Sequence, residues 1–178
     1  MLVINTKFKD LKIIQQKKHG DARGYLRETF NKKIVKWDEL IFDYATTSKK
    51  NVLRGFHFQS KFKQAKFVSV LKGKIFDCVI DLRKNSKTFG KCFSIILSEK
   101  NALSLFIPEG FAHAYYSYDK LNIIYYKLSN YYQPKFEDGV VWNDKFLKIK
   151  WPSKKPSVSK KDQKLRTFSD FKKTYKNI

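Results

Sequence analysis

The stretch "VLRGFHFQ" (52–59) alternates like a strand but carries an arginine and a histidine three positions apart, Arg54 and His57. The chain has three histidines in all. A histidine on an apolar strand is ordinarily a hydrogen-bonded core residue. Other polar groups stand in similar apolar runs: Lys66, His113 just after "IPEG", and Tyr126 and Lys127 in "IIYYK". Singly, each has a bland reading, Tyr126 as a core ring and Lys66 as the exposed start of a strand. Together they are a base, an acid and cations on different strands. Facing one interior, such groups are expensive unless a substrate or partner satisfies them. The chemistry they suit is general acid–base work. A neutral imidazole, with an ordinary pKa near 6.5, is a base matched to neutral pH. A fixed cation in a water-poor site can stabilise the developing anion by about 3–4 kcal/mol. A phenol keeps its proton at neutral pH until it is used as an acid.

Strands must position these groups. "KFVSVLKGKIFDCVIDL" (66–82) reads as two strands around the turn at Lys72-Gly73. "FGKCFSIILS" (89–98) is another strand, and "LSLFIPEGFAHAYYSY" (103–118) is strand, turn, strand. "LNIIYYKLSNYY" (121–132) follows. Strands recurring about every ten residues predict an antiparallel sandwich or barrel, which holds ligands in its mouth or interior. Along "IIYYK", alternation lets only one of Tyr125 and Tyr126 face that interior. Short helices are expected over 31–41 and 167–176, and 151–164 reads as a polar, irregular arm.

Bulk properties set the frame. At 178 residues and 42% hydrophobic, the chain suits one domain with a full core. No domain boundary, repeat, signal peptide or membrane span is visible. Cys78 and Cys92 sit in apolar runs without metal-ligand spacing, so they read as buried free thiols suited to a reducing cytoplasm. The formal charge of +22 raises nucleic-acid binding as a function. However, the lysines are spread along the chain rather than clustered, which predicts a solvated surface that attracts anionic small substrates.

Seven stretches, in order, resemble the dTDP-4-dehydrorhamnose 3,5-epimerase family. They are "GDARGYLRETF" (20–30), "NVLRGFHFQ" (51–59), "QAKFVSVLKGKIFDCVIDLRKNSKTFGK" (64–91), "LFIPEGFAHAYY" (105–116), "IIYYKLSNYYQP" (123–134), "GVVWND" (139–144) and "VSKKD" (158–162). The resemblance implies an all-β, cupin-type antiparallel jelly roll with a few short helices. It implies an isomerase without a cofactor that inverts C3 and C5 of a nucleotide-linked 4-keto-6-deoxy sugar for surface polysaccharide synthesis. It assigns His57 as general base, Asp162 as the carboxylate orienting it, Lys66 as the cation beside the enolate, and Tyr126 as acid on the opposite face. Arg54 corresponds to a diphosphate ligand, Arg23 and Glu28 to residues approaching the substrate, and His113 and Tyr132 to positions near the pocket. The family usually forms homodimers, with N-terminal strands (about 1–30) exchanged. Neither a metal nor an organic cofactor is expected, because the histidines of "GFHF" and "PEGFAHA" form no H-x-H pair. Where many family members carry Gln-x-Asn ahead of the "LRG" strand, this chain has Phe42 and Tyr44. Aromatic rings there can stack but cannot repeat amide hydrogen bonds. A C3-only epimerase, an epimerase of another nucleotide-linked keto sugar, and a non-catalytic sugar-nucleotide-binding jelly roll are the competing readings.

Overall fold

A computed structural model describes residues 1–35 and 39–175. The elements in chain order are β1 (Leu2–Asn5), β2 (Lys12–Gln15), β3 (Lys18–Asp21), β4 (Gly24–Arg27), β5 (Phe42–Ser48), β6 (Val52–Gln59), β7 (Lys66–Lys72) and β8 (Lys74–Asp81). They continue with β9 (Cys92–Ser98), β10 (Leu103–Ile107), β11 (Phe111–Ser117), β12 (Asn122–Leu128), β13 (Glu137–Gly139), β14 (Ser157–Val158), α1 (Lys160–Gln163) and α2 (Phe168–Thr174).

Two sheets face each other. The first runs β1-β2-β10-β7-β12-β5, and the second runs β13-β6-β11-β8-β9 with the short β14 parallel to β6. The remaining strand pairings are antiparallel, which makes the antiparallel sandwich expected from the strand spacing and the jelly roll that the resemblance implied. Between the sheets lie Val68, Val70, Leu105, Ile124 and Leu128 from the first and Ile75, Val79, Leu97 and Phe111 from the second. The outer face of the second sheet is covered too: Phe56, Phe58, Cys78, Ile80 and Ala114 pack against Val140, Leu147, Phe168 and Phe171 of the C-terminal region. Burial on both faces explains why β8 and β11 read as nearly continuous apolar runs rather than alternating ones. Each fully buried phenylalanine of this layer contributes about 1.5–3 kcal/mol. No helix among the described residues is long and apolar enough to cross a membrane.

Two expectations fail locally. Residues 31–35 make a single turn instead of a helix: the N–H groups of Ile34 and Val35 both bond the Asn31 carbonyl, and the Asn31 side chain takes the Lys33 N–H. Lys36, Trp37 and Asp38 of that stretch lie outside the described residues. The expected irregular arm, 151–164, instead contains β14 and α1. The Ser159 side chain caps α1 by accepting from the Asp162 N–H. The terminal helix is present as α2, capped by Thr167.

Glycine is required where the site is built. Gly55 has φ +110°, and a Cβ there would stand 2.5 Å from the His113 carbonyl oxygen. Only glycine lets β6 approach β11 so closely.

Candidate active site

The jelly roll encloses a cavity between its two sheets, and both contribute polar side chains to it. From the second sheet come Arg54, His57 and Gln59 on β6, His113 and Tyr115 on β11, and Glu137 on β13. From the first come Lys66 on β7, Tyr126 on β12, and Tyr44 and Thr46 on β5. The period-2 alternation of strands decides the membership. On β12 it turns Tyr126 inward and Tyr125 outward, where the Tyr125 hydroxyl donates to Asp43 at 2.7 Å. Lys127, which the sequence suggested as an inward cation, also points outward and pairs with Asp43 at 3.7 Å.

His57 is held by Asp162. The His57 Nε2–Asp162 Oδ1 distance is 2.8 Å, and the second carboxylate oxygen accepts the Gly55 N–H at 3.1 Å. Burial alone would raise the Asp162 carboxyl. The hydrogen bond and charge of His57, with the Gly55 N–H and Ser159, outweigh it and hold the carboxyl below its usual range. An ionised Asp162 accepts from Nε2–H, which fixes the tautomer and leaves Nδ1 as the basic nitrogen. The His57 side chain is 27% exposed, so the ring is reachable from the cavity.

Lys66 is buried and has no hydrogen-bond or ion-pair partner among the described residues. Burial pulls its ammonium down to about 8, with the carboxylates of Glu137 and Asp77 opposing the shift. A cation kept without a close partner is ready for an anion that forms during reaction. Tyr126 is 3% exposed, and burial pushes its phenol well above the ordinary value, helped by Tyr115, Tyr44 and Asp77. It therefore stays protonated. His57 and Tyr126 belong to opposite sheets, so they stand on two sides of the cavity.

The remaining residues form a rim and a scaffold. Arg54 donates from Nε to the Ser48 hydroxyl at 3.1 Å, and the Tyr115 hydroxyl joins Ser48 and Thr46 at 2.9 and 3.2 Å. His113 lies directly across the strand pair from His57 and bonds Asp77, with Nε2–Oδ2 at 2.8 Å. Tyr132 donates to Glu137 at 2.9 Å, and Lys161 of α1 pairs with the same carboxylate. Burial would raise Glu137, but Lys161, His57 and Tyr132 hold it low.

Seven of the nine residues expected at the site are thus brought together: His57, Asp162, Lys66, Tyr126, Arg54, His113 and Tyr132. Arg23 and Glu28 are not. Arg23 sits in the turn of the separate β3–β4 hairpin, its side chain 90% exposed and paired with Asp21 at 2.7 Å. Glu28 accepts from the Asn31 amide at 3.1 Å and does not line the cavity. Sequence reasoning missed Asp77 and Glu137. A single aspartate inside the apolar run "IFDCVI" was the available signal for the first, since a carboxylate there needs a partner. Of the two aromatic residues replacing the family's amides, Tyr44 lines the cavity, whereas Phe42 packs against the core between the sheets. Among the described residues, no group of three or more His, Cys, Asp or Glu could hold a metal ion.

The fold and the cavity's contents together define a cupin-type jelly-roll isomerase. The chain belongs to the dTDP-4-dehydrorhamnose 3,5-epimerase family, whose model matches residues 5–170. It is 41% identical to the dTDP-4-dehydrorhamnose 3,5-epimerase of Salmonella typhimurium over 171 residues, 91% of this chain and 92% of that one. The enzyme of that name from Bacillus anthracis, solved with TDP and PPi bound, superposes with TM-score 0.90 at 37% identity, covering 94% of this chain and 99% of that one. A dTDP-6-deoxy-D-glucose-3,5-epimerase of Legionella pneumophila, in complex with dTDP-4-keto-L-rhamnose, also superposes with TM-score 0.90 at 37% identity. That match covers 94% of this chain and 93% of the other.

Proposed function

We propose that this chain inverts C3 and C5 of a dTDP-linked 4-keto-6-deoxy sugar, without a cofactor, by removing and returning the protons on either side of the C4 ketone. His57 takes the proton through Nδ1, and Asp162 stabilises the imidazolium that results. The electrons move onto the C4 oxygen, where the Lys66 ammonium lowers the energy of the enolate. Tyr126 returns a proton to the opposite face, so the centre inverts. Arg54, at the open side of the cavity, binds the diphosphate, and the strongly basic chain draws the dianionic substrate in. His113 and Tyr132 contact the sugar and the nucleotide side of the pocket.

The observation that carries this reading is that base and acid come from opposite sheets across one cavity, with an unpartnered cation between strands of the same wall as the acid. Inversion needs two faces, whereas simple binding does not. The reading includes a cytoplasmic homodimer, in which residues of the N-terminal 30, among them Arg23 and Glu28, complete the partner's pocket. The β3–β4 hairpin supports it: Tyr25 and Leu26 are 50% and 65% exposed, an apolar pair suited to cover. The product would feed surface polysaccharide synthesis. The test is incubation with dTDP-4-keto-6-deoxyglucose followed by NMR of the sugar. A doubly inverted 4-keto-rhamnose is expected; a sugar returned unchanged overturns the reading, and inversion at C3 alone narrows it to a 3-epimerase.

A further inference from the structure

The acid of this site is not held by its own strand alone. Tyr126 on β12 lies directly across from Tyr44 on β5 on one side and from Val68 on β7 on the other. The Tyr44 and Tyr126 rings stack, with centroids 4.9 Å apart and planes 26° from parallel. From the facing sheet, the His113 ring meets Tyr126 edge-on at 6.0 Å and 67°. The Tyr126 ring is thus clamped on one face by a neighbour that is itself 37% exposed, while Tyr126 is only 3% exposed. Among the described residues β5 is the outermost strand of its sheet, with no further strand behind Tyr44. β5 also carries Thr46 and Ser48, which together hold the Tyr115 hydroxyl, so the Tyr44 backbone is part of a fixed rack.

We propose that Tyr44 is a positioning residue: its stacked ring stops Tyr126 from swinging about Cα–Cβ and thereby determines how fully the inversion at C5 is completed. This rests on the reading of Tyr126 as the proton donor. The donor's hydroxyl must reach a carbon on the far face of the sugar, and a phenol free to swing about its Cα–Cβ bond would miss that line. Proton abstraction by His57 from the other sheet does not pass through Tyr44. Loss of the stack should therefore leave proton exchange in place while lowering completed inversion. The Tyr44 phenol itself, raised to about 12 by burial and by Tyr115, Glu137 and Tyr132, stays protonated across the working range. Whether its hydroxyl matters apart from its ring is something a phenylalanine can decide.

The experiment compares wild type, Tyr44→Leu and Tyr44→Phe on dTDP-4-keto-6-deoxyglucose in deuterated water, reading deuterium and configuration at C3 and C5. Tyr44→Leu should exchange the C3 proton near the wild-type rate while completed C5 inversion falls about tenfold or more. Tyr44→Phe, which keeps the stack, should match wild type at both carbons. Equal loss at both carbons in Tyr44→Leu would make Tyr44 a general binding residue and overturn the proposal. So would an unchanged product ratio, or a C5 loss in Tyr44→Phe, which would make the hydroxyl the donor. If Tyr44→Leu fails to fold, Tyr44→Met takes its place with the same outcomes. A wild-type chain that leaves the sugar unchanged would sink the functional reading instead. The positioning claim is then read by NMR of Tyr126, from the couplings of its Hα to the two Hβ protons. A single χ1 rotamer in wild type that becomes averaged in Tyr44→Leu supports it, and the same single rotamer in both overturns it.

Discussion

Two histidine–aspartate pairs stand side by side in this chain, and they differ in what surrounds them. In both, Nε2 meets a carboxylate oxygen at 2.8 Å, and the two histidines are directly opposite on β6 and β11. His57 is 27% exposed and its carboxylate arrives from α1, a turn outside both sheets. His113 is 5% exposed, and Asp77 is fully buried on the neighbouring strand β8. Asp162 has both oxygens satisfied, by His57 and Gly55. Asp77 Oδ1 has no partner among the described residues. The same two side chains are thus set up differently: the half-open pair is placed to take a proton from a substrate, while the more buried pair presents a fixed ring at the cavity wall and adds negative charge near Lys66. Access and the origin of the carboxylate separate them, not residue type.

The sharpest break of that comparison is His57→Asn against His113→Asn. The first should lower proton exchange at both carbons by about 10²–10⁴-fold with the melting temperature little changed. The second should lower the melting temperature and leave exchange measurable. Activity loss of equal size in both would erase the distinction. Next in size, Tyr126→Phe keeps the ring but removes its proton. C5 inversion should fall by about 10²-fold while C3 exchange survives, as product NMR would reveal. A near wild-type yield of doubly inverted sugar would assign the acid elsewhere.

The carboxylates sharpen the comparison from the other side. Asp162→Asn should slow turnover by about tenfold or more, because an amide can orient the ring but cannot stabilise the imidazolium. Asp77→Ala strands a buried imidazole N–H and should cost about 1–3 kcal/mol of stability in denaturant unfolding. The reverse pattern, a kinetic effect at Asp77 and a purely structural one at Asp162, would contradict the assignment. Smallest is the pH effect. Lys66 carries its proton below about 8 and loses it above, so enolate stabilisation fades as pH rises. The pH profile of kcat/KM should descend through about 8 on its alkaline side, and Lys66→Met should retain a low rate without that descent.

Much of this was legible in the sequence, for a physical reason. Polar groups embedded in apolar strands are conspicuous, so Arg54, His57, Lys66, His113 and Tyr126 could be picked out before any fold was known. Alternation showed that only one of Tyr125 and Tyr126 can face the interior, and the family resemblance chose Tyr126; the same alternation places Lys127 outward beside Asp43, against its reading as an inward cation. Asp162 is 105 positions from His57, and nothing local in "VSKKD" announces the pairing; only the family resemblance did. Asp77 was overlooked because one carboxylate in an apolar run has no visible partner until β8 and β11 are laid side by side. Of the helix expected over 31–41, residues 31–35 form only a turn at Asn31, and Lys36, Trp37 and Asp38 lie outside the described residues. Arg23 and Glu28 lie away from their own chain's cavity, and only the family resemblance had placed them near a substrate.

The most direct test of two-faced proton transfer is to run the wild-type reaction in deuterated water and locate deuterium in the product. Removal by His57 and return from Tyr126, whose phenol exchanges with solvent, predicts one deuterium at C3 and one at C5 of the doubly inverted sugar. Doubly inverted product carrying no solvent deuterium at either carbon would contradict the account.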